Sequence, residues 1–343
     1  IRVISDNAND KFDEAFFARR VKYAVDYRRC VMGDDFSACR LIFGEADRFP
    51  GLTVDRFGSI LVTQTLSLGI EKRKDIILPA IVNYLRECGE KIDAVYERND
   101  VAIRELEGMS EYKAFYTAKG LDLADNLDGF CEITENGIKY TVDYINGQKT
   151  GYFLDQKYNR MAIRKIARGK RVLDCFTHTG AFALNAAAAD AESVTAVDVS
   201  ELALDAADKN AALNGFTNFH TLKADVFELL TNMMSEKKHD YDFIILDPPA
   251  FTKSRSTVKD AYRGYKDINY RAMKILPRGG YLATCSCSHF MPNELFVKML
   301  CDAARDAAVS LRQIEARQQS PDHPILWNVP ETDYLKFYIF QIV

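Results

Sequence analysis

Two short stretches hold the residues most able to do chemistry. Asp247-Pro248-Pro249-Ala250-Phe251 is followed about forty residues later by Thr284-Cys285-Ser286-Cys287-Ser288. Each closes a strongly apolar run, residues 241–246 and 281–283, that reads as a buried parallel strand. In an open α/β sheet the carboxyl ends of the strands face the ligand crevice. An acid, two prolines and a pair of thiols are therefore expected to converge on one cleft. A carboxylate beside a thiol suits modification of a nucleobase atom that has no lone pair. Cys285 and Cys287, two residues apart, would share one face of a continued strand, so spacing leaves the choice between them open. The bland alternative for either is a buried core cysteine.

The elements that must present these residues follow from periodicity. Strands are expected at 171–176, 193–199, 220–224, 241–246 and 281–284. Helices lie between them, notably 181–189 and 201–214, the second stopped by Gly215. Repeated βαβ units imply a parallel, doubly wound sheet. The tail differs: 311–316 and 334–342 read as two strands joined by a proline-containing loop without a helix. A parallel sheet closed by such a hairpin suggests a fold for a nucleoside methyl donor more than a dinucleotide fold. The expected class is α/β, a Rossmann-like sheet of seven strands with its last hairpin antiparallel, occupying 146–343.

A smaller α+β domain is expected at 29–145. Within it, 51–57 and 59–66 alternate as a hairpin about Gly58, 76–85 is helical with Pro79 starting or kinking it, and 94–97 is a strand. Glu97-Arg98-Asn99-Asp100 is polar and offers either a groove lining or, the better reading, a surface turn. Residues 1–28 contain a helical stretch at 13–25 and begin mid-pattern with Ile, which reads as the tail of a module lying upstream.

The cofactor loop is Asp174-Cys175-Phe176-Thr177-His178-Thr179-Gly180, between the first strand and helix of the larger domain. Gly180 permits a tight turn, and a helix N-terminus offers free N–H groups. A dinucleotide fingerprint needs Gly-x-Gly-x-x-Gly, and this loop has one glycine. A ligand with a carboxylate and a sulfonium, such as S-adenosylmethionine, demands less. Asp198 ends the second strand, where an acid suits two ribose hydroxyls, and Asp225 ends the third, within reach of an adenine amino group. Asp174, Asp198, Asp225 and Asp247 at four successive strand ends favour a ligand cleft over four independent helix caps. The donor contacts expected here are Asp174, Phe176, Thr177, Gly180, Asp198, Val199, Asp225, Val226 and Asp247. The segment 146–156 (NGQKTGYFLDQ) fits a loop folding over the donor, with Lys149, Thr150, Phe153, Asp155 and Gln156 as its contacts. An interdomain turn is its bland reading.

Composition narrows the partners. The 343 residues carry 48% hydrophobic and 27% charged residues, ordinary for a globular chain, with a net charge of −4. That balance argues against a general polyanion coat. Five basic residues (Lys253, Arg255, Lys259, Arg263, Lys266) nonetheless stand against one acid, Asp260, directly after Asp-Pro-Pro, which reads equally as a landing place for a polyanion or as a solvated helix face. No apolar run reaches the length of a bilayer span, so no membrane partner is expected. Eight scattered cysteines lack a disulfide or zinc spacing, which predicts a reducing, cytoplasmic setting and no metal.

Together, NGQKTGYFLDQKYN (146–159), DCFTHTG, DPPAF, RGYKDIN (263–269) and CSCS resemble the class I S-adenosylmethionine-dependent rRNA methyltransferases of the large-subunit methyltransferase I type, which form 5-methylcytosine. RLIFGEAD (40–47) and GLTVDR (51–56) extend the resemblance over nearly the whole chain. It implies S-adenosylmethionine as donor, S-adenosylhomocysteine as product, 23S rRNA as substrate with the 29–145 domain in contact with it, a PUA-like RNA-binding module of which residues 1–28 are the tail, and a homodimer. It also implies Cys287 as the nucleophile, with Cys285 as packing, and Asp247 as the group that orients cytosine. Pro248, Pro249, Phe251, Lys253, Arg255 and Arg263 are then the expected substrate contacts. Ala181 departs from the pattern, since many members have a second glycine there.

The rival readings are set by the same residues. Amino-group methyltransferases place an aromatic directly after Asp-Pro-Pro, whereas here Ala250 intervenes before Phe251. A binding protein without chemistry would not need both Asp247 and Cys287. A NAD-dependent dehydrogenase is disfavoured by the glycine-poor loop, and small-molecule methylation stays open.

Overall fold

The computed structural model describes residues 2–252 and 254–343. Lys253, an expected substrate contact, lies outside the described residues. The chain divides into two compact units. Unit 1 runs to Glu135 and adds Tyr140–Asp155 and Ser320–Thr332, while unit 2 comprises Asn136–Lys139, Gln156–Gln319 and Asp333–Val343.

Unit 1 opens with α1 (Glu14–Met32), started by the Asp13 carboxylate, which accepts the Phe16 N–H at 3.0 Å. Phe16, Phe17, Val21 and Val25 form its buried stripe. The sheet is built from β1 (Ala38–Phe43), β2 (Leu52–Phe57), β3 (Ile60–Thr65), β4 (Ala94–Asn99) and β5 (Tyr112–Phe115), in that spatial order. All neighbours are antiparallel except β3 and β4. Between them lie α2 (Leu68–Glu71), α3 (Lys74–Glu87), which carries Pro79 inside it, and α4 (Ile103–Leu106). A two-stranded ribbon of β6 (Phe130–Glu135) and β7 (Ile138–Asp143) follows.

The expected surface turn at Glu97-Arg98-Asn99-Asp100 is overturned. Glu97, Arg98 and Asn99 are buried in β4. They tolerate burial because each is satisfied from within. Glu97 accepts from Tyr112 Oη at 2.7 Å, Lys74 Nζ at 3.1 Å and Asn99 Nδ2 at 3.1 Å, and Arg98 donates to the Gly147 carbonyl at 2.8 Å. Hydropathy cannot distinguish such a strand from a turn.

Unit 2 has the expected alternation: α5 (Lys157–Ala167), β8 (Arg171–Cys175), α6 (Ala181–Ala187), β9 (Ser193–Asp198), α7 (Glu201–Leu213), β10 (Phe219–Lys223), α8 (Val226–Ser235), β11 (Phe243–Leu246), α9 (Val258–Ile275), β12 (Tyr281–Ser286), α10 (Asn293–Ala307), β13 (Leu311–Arg317) and β14 (Lys336–Ile342). The strand order is β10-β9-β8-β11-β12-β14-β13. The first five are parallel, and β14 is inserted antiparallel between β12 and β13. This is the seven-stranded Rossmann-like sheet with a terminal antiparallel hairpin that the sequence predicts. The order reverses at β8, so the crevice lies at the carboxyl ends of β8, β9 and β11. Beneath it, all of β11 is buried, and its Ile244 and Leu246 share a core with Tyr265 and Ile268 of α9 and Phe296 of α10.

Candidate active site

The loop after β8 is held from below by Asp174. Its Oδ2 accepts from Thr177 Oγ1 at 2.6 Å and from the Ala183 N–H at 3.0 Å, so one buried carboxylate fastens both the loop and the first turn of α6. Its Oδ1 has no hydrogen-bond partner. Burial, reinforced by the charges of Asp247 and Asp198, pushes this carboxyl up to about 7, against the opposing bonds from Thr177 and Ala183. Phe176, His178 and Gly180 all take left-handed φ values, 63°, 51° and 81°, which coil the loop over the strand end. Gly180 has a packing reason as well: a Cβ there would lie 2.9 Å from the Ala207 Cβ on α7.

The next strand ends contribute unequally. Asp198 accepts the N–H groups of His178 at 2.9 Å and Ser200 at 3.0 Å, tying β9 to the loop, and Val199 beside it is exposed. Asp225 is exposed and caps α8 by accepting the Glu228 N–H at 3.1 Å, with Val226 buried beneath it. Lys149, Thr150, Phe153 and Asp155 belong to unit 1. There the Lys149 ammonium stands 4.9 Å from the Phe153 ring centre. The buried Thr150 hydroxyl donates to Asp55 at 2.5 Å, the Asp55 carboxylate being paired with Arg40, and the Asp155 carbonyl accepts the Ser320 N–H.

Gln156 belongs to unit 2 and reaches Asp247. Its Nε2 donates to Asp247 Oδ1 at 3.1 Å, while its Oε1 accepts from Asn159 Nδ2 at 2.7 Å. Asn159 in turn accepts from Arg317 Nε at 3.2 Å. A polar chain from β13 through α5 thus sets the Asp247 carboxylate, at the end of β11. After it, Pro248 is buried and Pro249 exposed. The Phe251 ring packs on Tyr265, centroids 4.5 Å apart, and on Phe227 at 5.9 Å, with Gly264 leaving it room. Arg255 and Arg263 are exposed, at the start and on the outer face of α9.

The two thiols have different surroundings. Cys285 is fully buried within β12 and donates to the Leu246 carbonyl at 3.4 Å. Burial, then the Asp247 charge, pushes it well above the usual thiol range. Cys287 is half-buried and stands one residue beyond the end of β12. Its turn is pinned on both sides: the Ser288 N–H donates to Ser286 Oγ at 3.3 Å, and Ser288 Oγ donates to the Thr252 carbonyl at 3.0 Å. A third restraint was not foreseen from the sequence. Lys336, buried at the start of β14, donates to the Ser288 carbonyl at 2.7 Å and the Tyr334 carbonyl at 2.7 Å. The visible signal was a cation opening the apolar run 335–340, but its neighbour across the sheet depends on an antiparallel insertion that periodicity does not reveal.

Asp174, Asp198 and Asp247 therefore stand at the ends of three adjacent strands, and a buried Thr179 hydroxyl has no hydrogen-bond partner. Carboxylates this close repel one another, and a cationic ligand relieves that repulsion. A sulfonium-bearing amino acid joined to a nucleoside fits this donor set. Among the described residues no group of three His, Cys, Asp or Glu side chains could hold a metal, and no helix is long and apolar enough to cross a membrane.

Comparison with known proteins agrees with this geometry. The sequence model of the S-adenosylmethionine-dependent methyltransferase family matches residues 111–340. A protein of Erwinia tasmaniensis named ribosomal RNA large subunit methyltransferase I is 40% identical over 345 residues, spanning 100% of this chain and 84% of its own. A Streptococcus mutans structure assigned as a SAM-dependent methyltransferase superposes with a TM-score of 0.82 at 23% identity, covering 98% of this chain and 84% of that one. A second methyltransferase, solved with S-adenosylhomocysteine, superposes with a TM-score of 0.81 at 22% identity, covering 97% and 83%.

Proposed function

On the premise that the chain belongs to the S-adenosylmethionine-dependent methyltransferases, among the ribosomal RNA large subunit methyltransferase I proteins, we propose that it makes 5-methylcytosine in large-subunit rRNA through a covalent Cys287–cytosine intermediate. The observation that carries this reading is the contrast between the thiols. Cys285 is sealed inside the sheet, whereas Cys287 is accessible beyond the strand end, one strand away from Asp247.

Carbon 5 of cytosine is too weak a nucleophile to act unaided. The Cys287 thiolate adds to carbon 6, forming the S–C6 bond and moving the C5=C6 pair into an enamine whose N3 takes up a proton. Asp247, held by Gln156, receives the N3–N4 edge and keeps carbon 6 over the sulfur. S-adenosylmethionine, when bound, supplies the electrophilic methyl group and leaves as S-adenosylhomocysteine. Loss of the carbon-5 proton to water, with N3 giving back the proton it took up, then reforms the double bond as the S–C6 bond breaks, returning the thiolate. Asp174, Asp198 and the 176–180 loop serve the donor, and the pinned turn at 286–288 holds the sulfur still. The base must leave its stack to enter such a site. Arg255, just before α9, and Lys259 and Arg263 in its first two turns are exposed and supply phosphate contacts.

Methylation of an exocyclic amine is less well supported, because Phe251, the ring that would stack on the base, is used in packing against Tyr265. The test is a trapping assay with S-adenosylmethionine and rRNA containing 5-fluorocytidine. A denaturant-stable adduct lost in Cys287→Ala and kept in Cys285→Ala is the expected result. Methyl transfer to ordinary rRNA with no adduct would sink the covalent reading and favour amine chemistry.

A further inference from the structure

Cys287 is half-buried one residue beyond β12, near the Cys285 thiol and the Tyr265 hydroxyl of α9. The thiolate rather than the thiol is the nucleophile, and a cation beside the sulfur favours it.

We propose that Lys336 is such a cation: a positioning residue whose buried ammonium, anchored on the Ser288 carbonyl, favours the Cys287 sulfur as thiolate. The inference rests on Cys287 being the nucleophile, and it stands on geometry. Lys336 is paired in register with Ser286, so β14 sets its side chain beside the last turn of β12. The Nζ donates at 2.7 Å to the carbonyl of Ser288, the residue after Cys287, and at 2.7 Å to Tyr334. Its charged neighbours are Cys287 and, from its own approach to the strand, Asp333, both of which favour its charged form. Burial draws the lysine down to about 8, so at neutral pH it is still mainly ammonium. A buried lysine is costly to keep, and among the described residues its Nζ is bonded to two carbonyls and to no carboxylate. The thiol proton leaves to solvent, and the resulting ammonium–thiolate pair is restored each time the S–C6 bond breaks.

The test reads the thiol directly. Alkylation of Cys287 by iodoacetamide is followed across pH 5.5–10 by peptide mass spectrometry, which separates it from exposed Cys30 and Cys301. In Lys336→Met the alkylation midpoint should rise by about one unit or more, lowering the rate at pH 7 roughly tenfold, and Lys336→Arg should restore most of it. Lys336→Gln keeps a donor for the Ser288 carbonyl without the charge, and stands in should the Met variant not fold. Midpoints unchanged in the folded neutral variants would overturn the proposal. Since alkylation needs no RNA, a moved midpoint supports the pair even if 5-fluorocytidine trapping fails and the covalent reading falls with it.

Discussion

At the scale of single residues, two substitutions two positions apart should behave as opposites. Cys287→Ala is expected to reduce methyl transfer to below about one-thousandth of the parent rate while leaving S-adenosylhomocysteine binding intact. Cys285→Ala removes a buried sulfur, so it should cost on the order of 1 kcal/mol of stability and retain transfer. Single-turnover methylation and calorimetric binding of the product check both. Asp174 makes a separate prediction. Its carboxyl is held at about 7 rather than its ordinary 3.8, so the folded chain binds the proton more tightly than the unfolded chain. Its contribution to stability is therefore fullest below about pH 4 and is lost as pH rises through about 7, by up to about 4 kcal/mol. Asp174→Asn keeps an acceptor for Thr177 and Ala183 but cannot titrate. Urea denaturation between pH 4 and 8 should show the variant gaining on the parent as pH rises, and parallel curves would refute this account.

At the scale of elements, α6 is seated by a missing side chain. Gly180→Ala must place a Cβ at φ 81° and 2.9 Å from Ala207, so strain and overpacking together should cost about 2–4 kcal/mol. Thermal denaturation checks it, with weaker donor binding expected in parallel because the same loop carries Asp174 and Thr177. Helix α9 offers the second element prediction. Replacing Arg255, Lys259 and Arg263 together by Ala should weaken rRNA binding and flatten the dependence of log Kd on log salt by about two to three units, read by filter binding from 50 to 200 mM salt. An unchanged slope would remove this face from the RNA contact. Elements were also where the sequence was most readable. Buried strands ending in Asp174, Asp198 and Asp247 announce themselves by apolar runs and abrupt polarity. β4 does not, because its Glu97, Arg98 and Asn99 are satisfied by partners distant in sequence. Lys336 escaped for a related reason, since its meaning depends on which strand lies beside it.

At the scale of the whole chain, the donor should bind as a ligand of the native state. S-adenosylhomocysteine at about a hundred times its Kd stabilises by about 2.7 kcal/mol, so scanning calorimetry should show the transition that contains unit 2 move up by a few degrees. Asp198→Ala should remove most of that shift, and a shift of full size in the variant would take Asp198 out of the donor site. The seven-stranded architecture was legible from alternation and the late hairpin. The division into units was less so: residues 320–332, read from sequence as a loop between two strands, belong to unit 1. Nothing in their composition distinguishes a long connection from an excursion.

The place of β14 has a consequence for how the molecule comes into being. It is later in the chain than every other strand of its sheet, yet it lies inside that sheet, between β12 and β13. A nascent polypeptide that has emerged only as far as β13 therefore has a sheet with a gap and no Lys336 beside the 286–288 turn. Completion of the sheet and arrival of Lys336 at the Ser288 carbonyl are therefore one event, which waits until synthesis has passed residue 336.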